Sequence, residues 1–85
     1  MNRRRLLRRL SFGALRNVRF ADFTDLVEGF GFRLIRTAGS HHIYSHADID
    51  EMVNLQEVGS EAKAYQIRQF LRLVERYNLQ LGDGQ

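Results

Sequence analysis

The sequence contains no cysteine, so neither a disulfide framework nor a thiolate zinc site is available to this 85-residue chain. A small domain without such cross-links fits a reducing cytoplasm, or a fold that a partner completes. No apolar run approaches the roughly 20 residues that span a bilayer, and the basic start lacks the unbroken apolar stretch of a signal peptide. We therefore expect a cytoplasmic protein that does not bind membranes.

Lysine is almost absent as well, since 12 of the 13 basic residues are arginine and Lys63 is the exception. Acidic residues are missing between Arg3 and Arg19, a stretch that holds seven arginines. Guanidinium groups fork onto phosphate and stack on bases, which an ammonium group does poorly. This pattern favours a polyanionic partner such as nucleic acid over the alternative, a solvated basic segment.

The apolar pattern predicts a helix at each end of one small domain. Residues 2–16 carry leucines at helical spacing, but so short a helix is marginal in water, so we expect this segment to need a partner to order. The next apolar stripe predicts a helix that ends at Gly29 and Gly31, one of which can take the left-handed C′ position. The stripe at the end of the chain predicts another helix, formed by Ile67, Phe70, Leu71, Val74 and Tyr77, with Arg68, Arg72 and Arg76 on a separate face.

Between these helices the period changes to that of strands. Residues 32–37 and 41–45 predict two strands joined by a turn at 38–40, and residues 52–56 predict a third strand, after a polar connection at 48–51 and before a break at 59–61. The predicted fold is therefore α+β, in which two helices cover one face of a three-stranded antiparallel sheet. This domain spans residues 18–80, with a basic extension over 1–17 and a flexible tail over 81–85.

The three histidines, His41, His42 and His46, fall within six residues, directly after Gly39 and Ser40. Histidine exchanges protons near neutrality, and RNA carries its own nucleophile, the 2′-hydroxyl, so one imidazole and a few arginines can support cleavage without a metal. The glycine can bring backbone N–H groups close to a phosphate. The alternative is that these are ordinary packed or solvent-facing strand residues.

A metal site is disfavoured by geometry. His41 and His42 are adjacent on a strand and point to opposite faces, while His42 and His46 would lie roughly 13 Å apart, too far to share one ion. The chain also lacks the G-x-S-x-G elbow and the phosphate-binding loop of other enzyme classes. We therefore predict no metal ligands and no small-molecule cofactor.

These residues also resemble a known family. Gly31-Phe32, Arg36, the run 39–44 (Gly-Ser-His-His-Ile-Tyr) and His46 are similar to the core signature of HicA toxins, the YcfA-type messenger-RNA interferases of toxin–antitoxin systems. The resemblance covers roughly residues 18–80. It implies a double-stranded-RNA-binding-domain-like α-β-β-β-α fold, metal-independent cleavage of messenger RNA and neutralisation by a HicB-type antitoxin.

In that family the essential histidine is the first one after Gly-Ser, which implies that His41 is catalytic, with Gly39 in the same motif. Ser40 and His42 are possible supports, and His42 is also the substitute, because alternation places His41 on the face of Ile43, which we predict to be core. We expect RNA contacts from Arg33 and Arg36 and from the basic extension, through Arg3, Arg4, Arg5, Arg8 and Arg9. The alternatives are a non-catalytic RNA-binding module of the same fold and a role in protein assembly alone.

Overall fold

Helices cover one face of an antiparallel sheet in the computed structural model, which describes residues 2–82. The elements in that range are α1 (Arg3–Ser11), α2 (Phe20–Gly29), β1 (Arg33–Ala38), β2 (His41–His46), β3 (Ile49–Val58), β4 (Glu61–Ala62) and α3 (Ala64–Arg76). The strands follow the order β1-β2-β3-β4. The α+β, double-stranded-RNA-binding-like fold is confirmed, although the sheet has four strands where we predicted three.

The additional strand arises at the predicted break. Gly59 and Ser60 have φ values of +57° and +66°, and two consecutive left-handed residues form the tight turn that joins antiparallel strands. The chain therefore folds back, and Ala62 pairs with Glu57. The polar connection predicted at 48–51 is also mostly strand, because β3 already begins at Ile49, which pairs with His46.

The core is centred on the aromatic ring of Phe70 in α3. Its centroid lies 5.6, 5.7 and 5.5 Å from those of Phe23, Phe30 and Phe32, with the ring planes steeply inclined. Edge-to-face packing of this kind adds to the hydrophobic gain from burial. Ile67 and Phe70 of the stripe predicted for α3 are buried, whereas Tyr77 is exposed and Leu73, which we did not predict, is buried. The sheet contributes Tyr44, Val53 and Leu55 to the core.

The N-terminal segment is a helix that packs on the domain. Leu6 and Leu10 on its apolar face are 1% and 2% exposed. The Arg3 guanidinium donates to both carboxylate oxygens of Asp25 on α2, at 3.0 and 2.9 Å, and this bonding lowers the pKa of Asp25. Tertiary burial thus stabilises a helix that would be marginal in isolation. The division of the chain into an extension and a domain stays a prediction.

The end of the described chain is also held in place. Leu81 packs against the core, and the Gly82 N–H donates to the Gly29 carbonyl at 2.9 Å. The flexible tail predicted over 81–85 stays a prediction, and residues 83–85 lie outside the described part. Within residues 2–82, no helix is long and apolar enough to cross a membrane.

Candidate active site on the open face of the sheet

Among residues 2–82, helices cover one face of the sheet and leave the other uncovered. Tyr44, Val53 and Leu55 point to the helices and are buried. Side chains alternate along a strand, and paired residues share a face. The strand register therefore places the side chains that alternate with these buried residues on the uncovered side. We call this uncovered surface the open face, and it is defined by Arg33, Arg36, His41, Ile43, Asn54 and Gln56.

His41 lies exposed on the open face, at the start of β2. Its Nδ1 atom is 3.2 Å from the Asn54 Oδ1 atom on β3. An amide oxygen can only accept, so Nδ1 carries the hydrogen of this bond. In the neutral ring, Nε2 then has the free lone pair and points away from Asn54, as a proton acceptor requires.

Our prediction of which β2 side chains point to the core was wrong by one residue. We predicted that Ile43 is core, which would turn His41 inward, whereas the buried residue is Tyr44 and Ile43 is half-buried on the open face. Tyr44 faces Val53, a buried residue of β3, and burial raises the pKa of its phenol. His41 is therefore accessible within regular strand geometry, without any distortion at the turn.

The other two histidines lie on the covered side of the sheet and make structural contacts. The His42 ring is 4.8 Å from the Phe20 ring, and its Nδ1 is 3.2 Å from the Ser40 carbonyl oxygen. The His46 ring is 5.0 Å from the Phe32 ring, and its Nδ1 accepts from the Asp48 N–H at 3.0 Å. The three imidazoles thus do not converge, and residues 2–82 contain no group of three or more His, Cys, Asp or Glu side chains placed to hold a metal ion.

Gly31 turns the chain from α2 into β1 beside His46. It has φ +97°, so of the two glycines predicted to end the helix, Gly31 takes the left-handed position. A Cβ atom on Gly31 would lie 2.9 Å from the His46 Nε2 atom. This ring is held by Phe32 and by the Asp48 N–H, so it cannot yield without losing those contacts.

We expect Gly31→Ala to destabilise the domain by more than Gly13→Ala in urea denaturation. Each substitution places alanine at a positive φ, which costs about 1–3 kcal/mol, and Gly13 has φ +88°. A Cβ atom on Gly13 would meet no other atom within 4 Å, so Gly13→Ala reports the backbone cost alone. Equal losses in the two variants would show that the contact with His46 is not restrictive.

The two sheet arginines that we predicted to contact RNA both lie on the open face. Arg33 pairs with Ser45 and Arg36 with Ile43, and the register shifts between residues 34 and 36. In a regular strand, residues three apart point to opposite faces, but one extra residue in a bulge restores them to the same face. The irregularity at Ile35 therefore places both guanidinium groups on the side of His41.

The turn before His41 is tied to β3. Gly39 has φ +61°, which glycine adopts at little cost. The Ser40 Oγ atom accepts from the Gln56 side-chain amide at 3.3 Å, and the Ser40 carbonyl oxygen accepts from the Glu57 N–H at 3.0 Å. These bonds fix the turn beside His41, which itself pairs with Gln56.

The arginines of α1 lie on the other side of the sheet from His41, because α1 packs on α2 in the helical layer. Two of the five predicted RNA contacts already have protein partners. Arg3 is bonded to Asp25, and Arg9 donates to the Arg16 carbonyl oxygen at 2.6 Å. The exposed arginines of this helix are Arg4, Arg5 and Arg8.

Asn54 and Gln56 are site residues that the sequence did not single out. Their alternation with buried Val53 and Leu55 indicates a polar face of β3. However, only the pairing of His41 with Gln56, and of Ile43 with Asn54, places these two amides beside the imidazole. That pairing depends on where the chain turns at Ala47 and Asp48, which the sequence pattern did not locate.

A family model described as the HicA toxin of bacterial toxin-antitoxin matches residues 20–75. The matched region runs from the first residue of α2 into the last turn of α3, so it includes the whole sheet and leaves out α1. No curated protein and no solved structure gives a significant match to this chain.

Proposed function

Because the chain belongs to the HicA family, the toxins of bacterial toxin–antitoxin systems, we propose that it is an endoribonuclease that cleaves messenger RNA with His41 and without a metal ion. The observation that supports this most is the exposed His41 ring, whose Nδ1 atom lies 3.2 Å from the Asn54 Oδ1 atom. A second observation favours RNA as substrate, since Arg33 and Arg36 share that face.

The proposed reaction uses the 2′-hydroxyl of RNA as nucleophile. The Nε2 atom of His41 removes the 2′-hydroxyl proton, the 2′-oxygen bonds to phosphorus, and the bond from phosphorus to the 5′-oxygen breaks. The leaving oxygen takes a proton, either from the imidazolium or from water, so one product ends in a 2′,3′-cyclic phosphate and the other in a 5′-hydroxyl. Arg36 and Arg33 would offset the charge that develops on the phosphate oxygens.

The turn at Gly39 and Ser40 would shape the approach of the phosphate to His41. Away from the open face, the exposed Arg4, Arg5 and Arg8 would add affinity that depends on salt but not on sequence. Arg3 and Arg9 would contribute less than we expected from the sequence, because phosphate would have to displace their present partners.

The proposal is tested by incubating purified protein with end-labelled RNA in EDTA. Cleavage into fragments that end in a cyclic phosphate is the expected result. Retention of intact RNA would instead support the second interpretation, an RNA-binding module that recognises the duplex by shape and 2′-hydroxyl contacts. Fragmentation that requires Mg²⁺ would contradict the histidine mechanism.

Family membership implies a partner that neutralises the toxin, and we propose that this partner is a HicB-type antitoxin. Co-expression with the neighbouring reading frame tests this directly. We expect the product of that frame to form a stable complex with this chain and to suppress its toxicity. A neighbouring product that neither binds nor protects would contradict the proposal.

Asn54 is expected to act as a positioning residue for His41. Asn54→Ala should slow cleavage roughly 2- to 10-fold, the effect of losing one hydrogen bond of about 0.5–1.5 kcal/mol. Asn54→Asp should move the acid limb of the pH–rate profile to higher pH, because a carboxylate beside the ring stabilises its protonated form. Gln69→Ala, which removes an exposed amide from α3, is the control, and a profile unchanged by Asn54→Asp would contradict this role.

A further inference from the structure

β3 has an unpaired outer edge along most of its length. Its partner on that side, β4, pairs only with Glu57 and Val58. The Gln56 N–H points to the same outer side, where it donates to the Gln66 Oε1 atom on α3 at 2.9 Å. Because backbone groups alternate along a strand, the N–H and C=O of Asn54 face outward too, and no strand among residues 2–82 pairs with them.

A groove runs between this edge and α3. Its volume is about 290 Å³, and its apolar lining includes Leu55, Phe70 and Leu73, together with Met52, which is 64% exposed. At its far end the Arg76 guanidinium and the Tyr77 hydroxyl both donate to Glu51, so α3 is fixed over the edge. The groove thus combines an unpaired strand edge with an apolar floor.

The charge along this groove is positive. Arg72 and Arg76 line it, and Arg76 is already bonded to Glu51, whose pKa is lowered first by the Tyr77 hydroxyl and then by this arginine. Within the described residues no salt bridge engages Arg72, which is exposed. The charge of Arg72 is therefore available to a ligand in the groove.

We propose that this groove binds an extended, acidic segment of a partner protein, which adds a strand to the outer edge of β3. An added strand offers donors and acceptors in alternation and so satisfies both the N–H and the C=O of Asn54. Its inward side chains would meet Phe70, Leu73 and Arg72. The phosphate groups of RNA fit the edge less well, because their oxygens only accept and cannot pair with the outward carbonyl groups, which would be left to the 2′-hydroxyl and base donors.

The experiment uses the full chain labelled with ¹⁵N and an eight-residue synthetic peptide in which glutamate alternates with valine. We expect the NMR chemical shifts of the Asn54 and Met52 amides to change saturably as peptide is added. Hydrogen exchange at Asn54 should become slower, because its N–H gains an acceptor. Two control peptides should fail to bind: one is N-methylated on the edge that faces β3, and the other carries lysine in place of glutamate.

A matched pair of variants tests the charge argument. Arg72→Glu should weaken peptide binding at least tenfold. Arg68→Glu makes the same charge change one turn away, at a residue that does not line the groove. This control should weaken binding less than threefold. No saturable shift with millimolar peptide would overturn the proposal, as would equal binding of the N-methylated peptide, or protection of Asn54 by single-stranded RNA alone. None of these results depends on RNA cleavage, so this proposal and the proposed function can fail separately.

Discussion

His41→Ala is expected to abolish RNA cleavage while leaving the domain folded. General acid–base catalysis by one side chain contributes roughly 10²- to 10⁴-fold to a rate, and neither His42 nor His46 lies on the open face to replace it. The side chain is exposed and contacts Asn54 through a single hydrogen bond, so its loss should change stability little. The measurement is the rate of cleavage of labelled RNA in EDTA, with circular dichroism to confirm folding.

The control for this prediction is His42→Ala. His42 lies on the covered side against Phe20, so this variant should retain cleavage and lose some stability. The reverse result, in which His42→Ala is inactive and His41→Ala cleaves at the wild-type rate, would assign the chemistry to the substitute residue. Expression in cells offers a second comparison, since wild type should arrest growth and the His41 variant should not.

Phe70→Ala is expected to remove a large part of the stability of the protein. Truncation of a buried phenylalanine to alanine costs about 3–5 kcal/mol, and the total stability of a small domain is only about 5–15 kcal/mol. Phe70 packs against three other phenylalanine rings that come from α2, from the end of α2 and from the start of β1. Its loss therefore loosens the contact of both elements with α3.

Urea denaturation compares this variant with Phe12→Ala, which removes the same atoms from a ring that is 84% exposed. The control should change the free energy of unfolding by no more than about 0.5 kcal/mol, as is usual for surface positions. A loss below about 1 kcal/mol for Phe70→Ala would show that the core does not depend on this ring.

The helices of the domain could be predicted because their apolar stripes are long and regular. Phe23, Leu26 and Phe70 lie where the helical period places them, and all are buried. The leucines of α1 follow the same period, but their burial depends on contacts with α2, more than ten residues away. Helix propensity alone does not report such contacts, so the packing of α1 could not be predicted.

The face of β2 could not be predicted because Ile43 and Tyr44 are both suitable core residues. The choice between them is decided by β3, where Val53 and Leu55 are buried and pair with Tyr44 and His42. Register of this kind is a tertiary property, and an error of one residue exchanges the two faces of a strand. His41, the residue predicted to be catalytic, lies on the open face. Had Ile43 been a core residue, His41 would share its face and point inward.

The position of α1 separates its exposed arginines from the open face. The exposed guanidinium groups of Arg4, Arg5 and Arg8 and the imidazole of His41 lie on opposite sides of the sheet, so one straight stretch of RNA cannot touch both. A protein that shields the imidazole would leave the cationic helix able to hold nucleic acid. If the proposed function holds, we therefore expect substitutions at His41 to remove cleavage without removing RNA affinity, and substitutions at Arg4, Arg5 and Arg8 to lower affinity without removing cleavage.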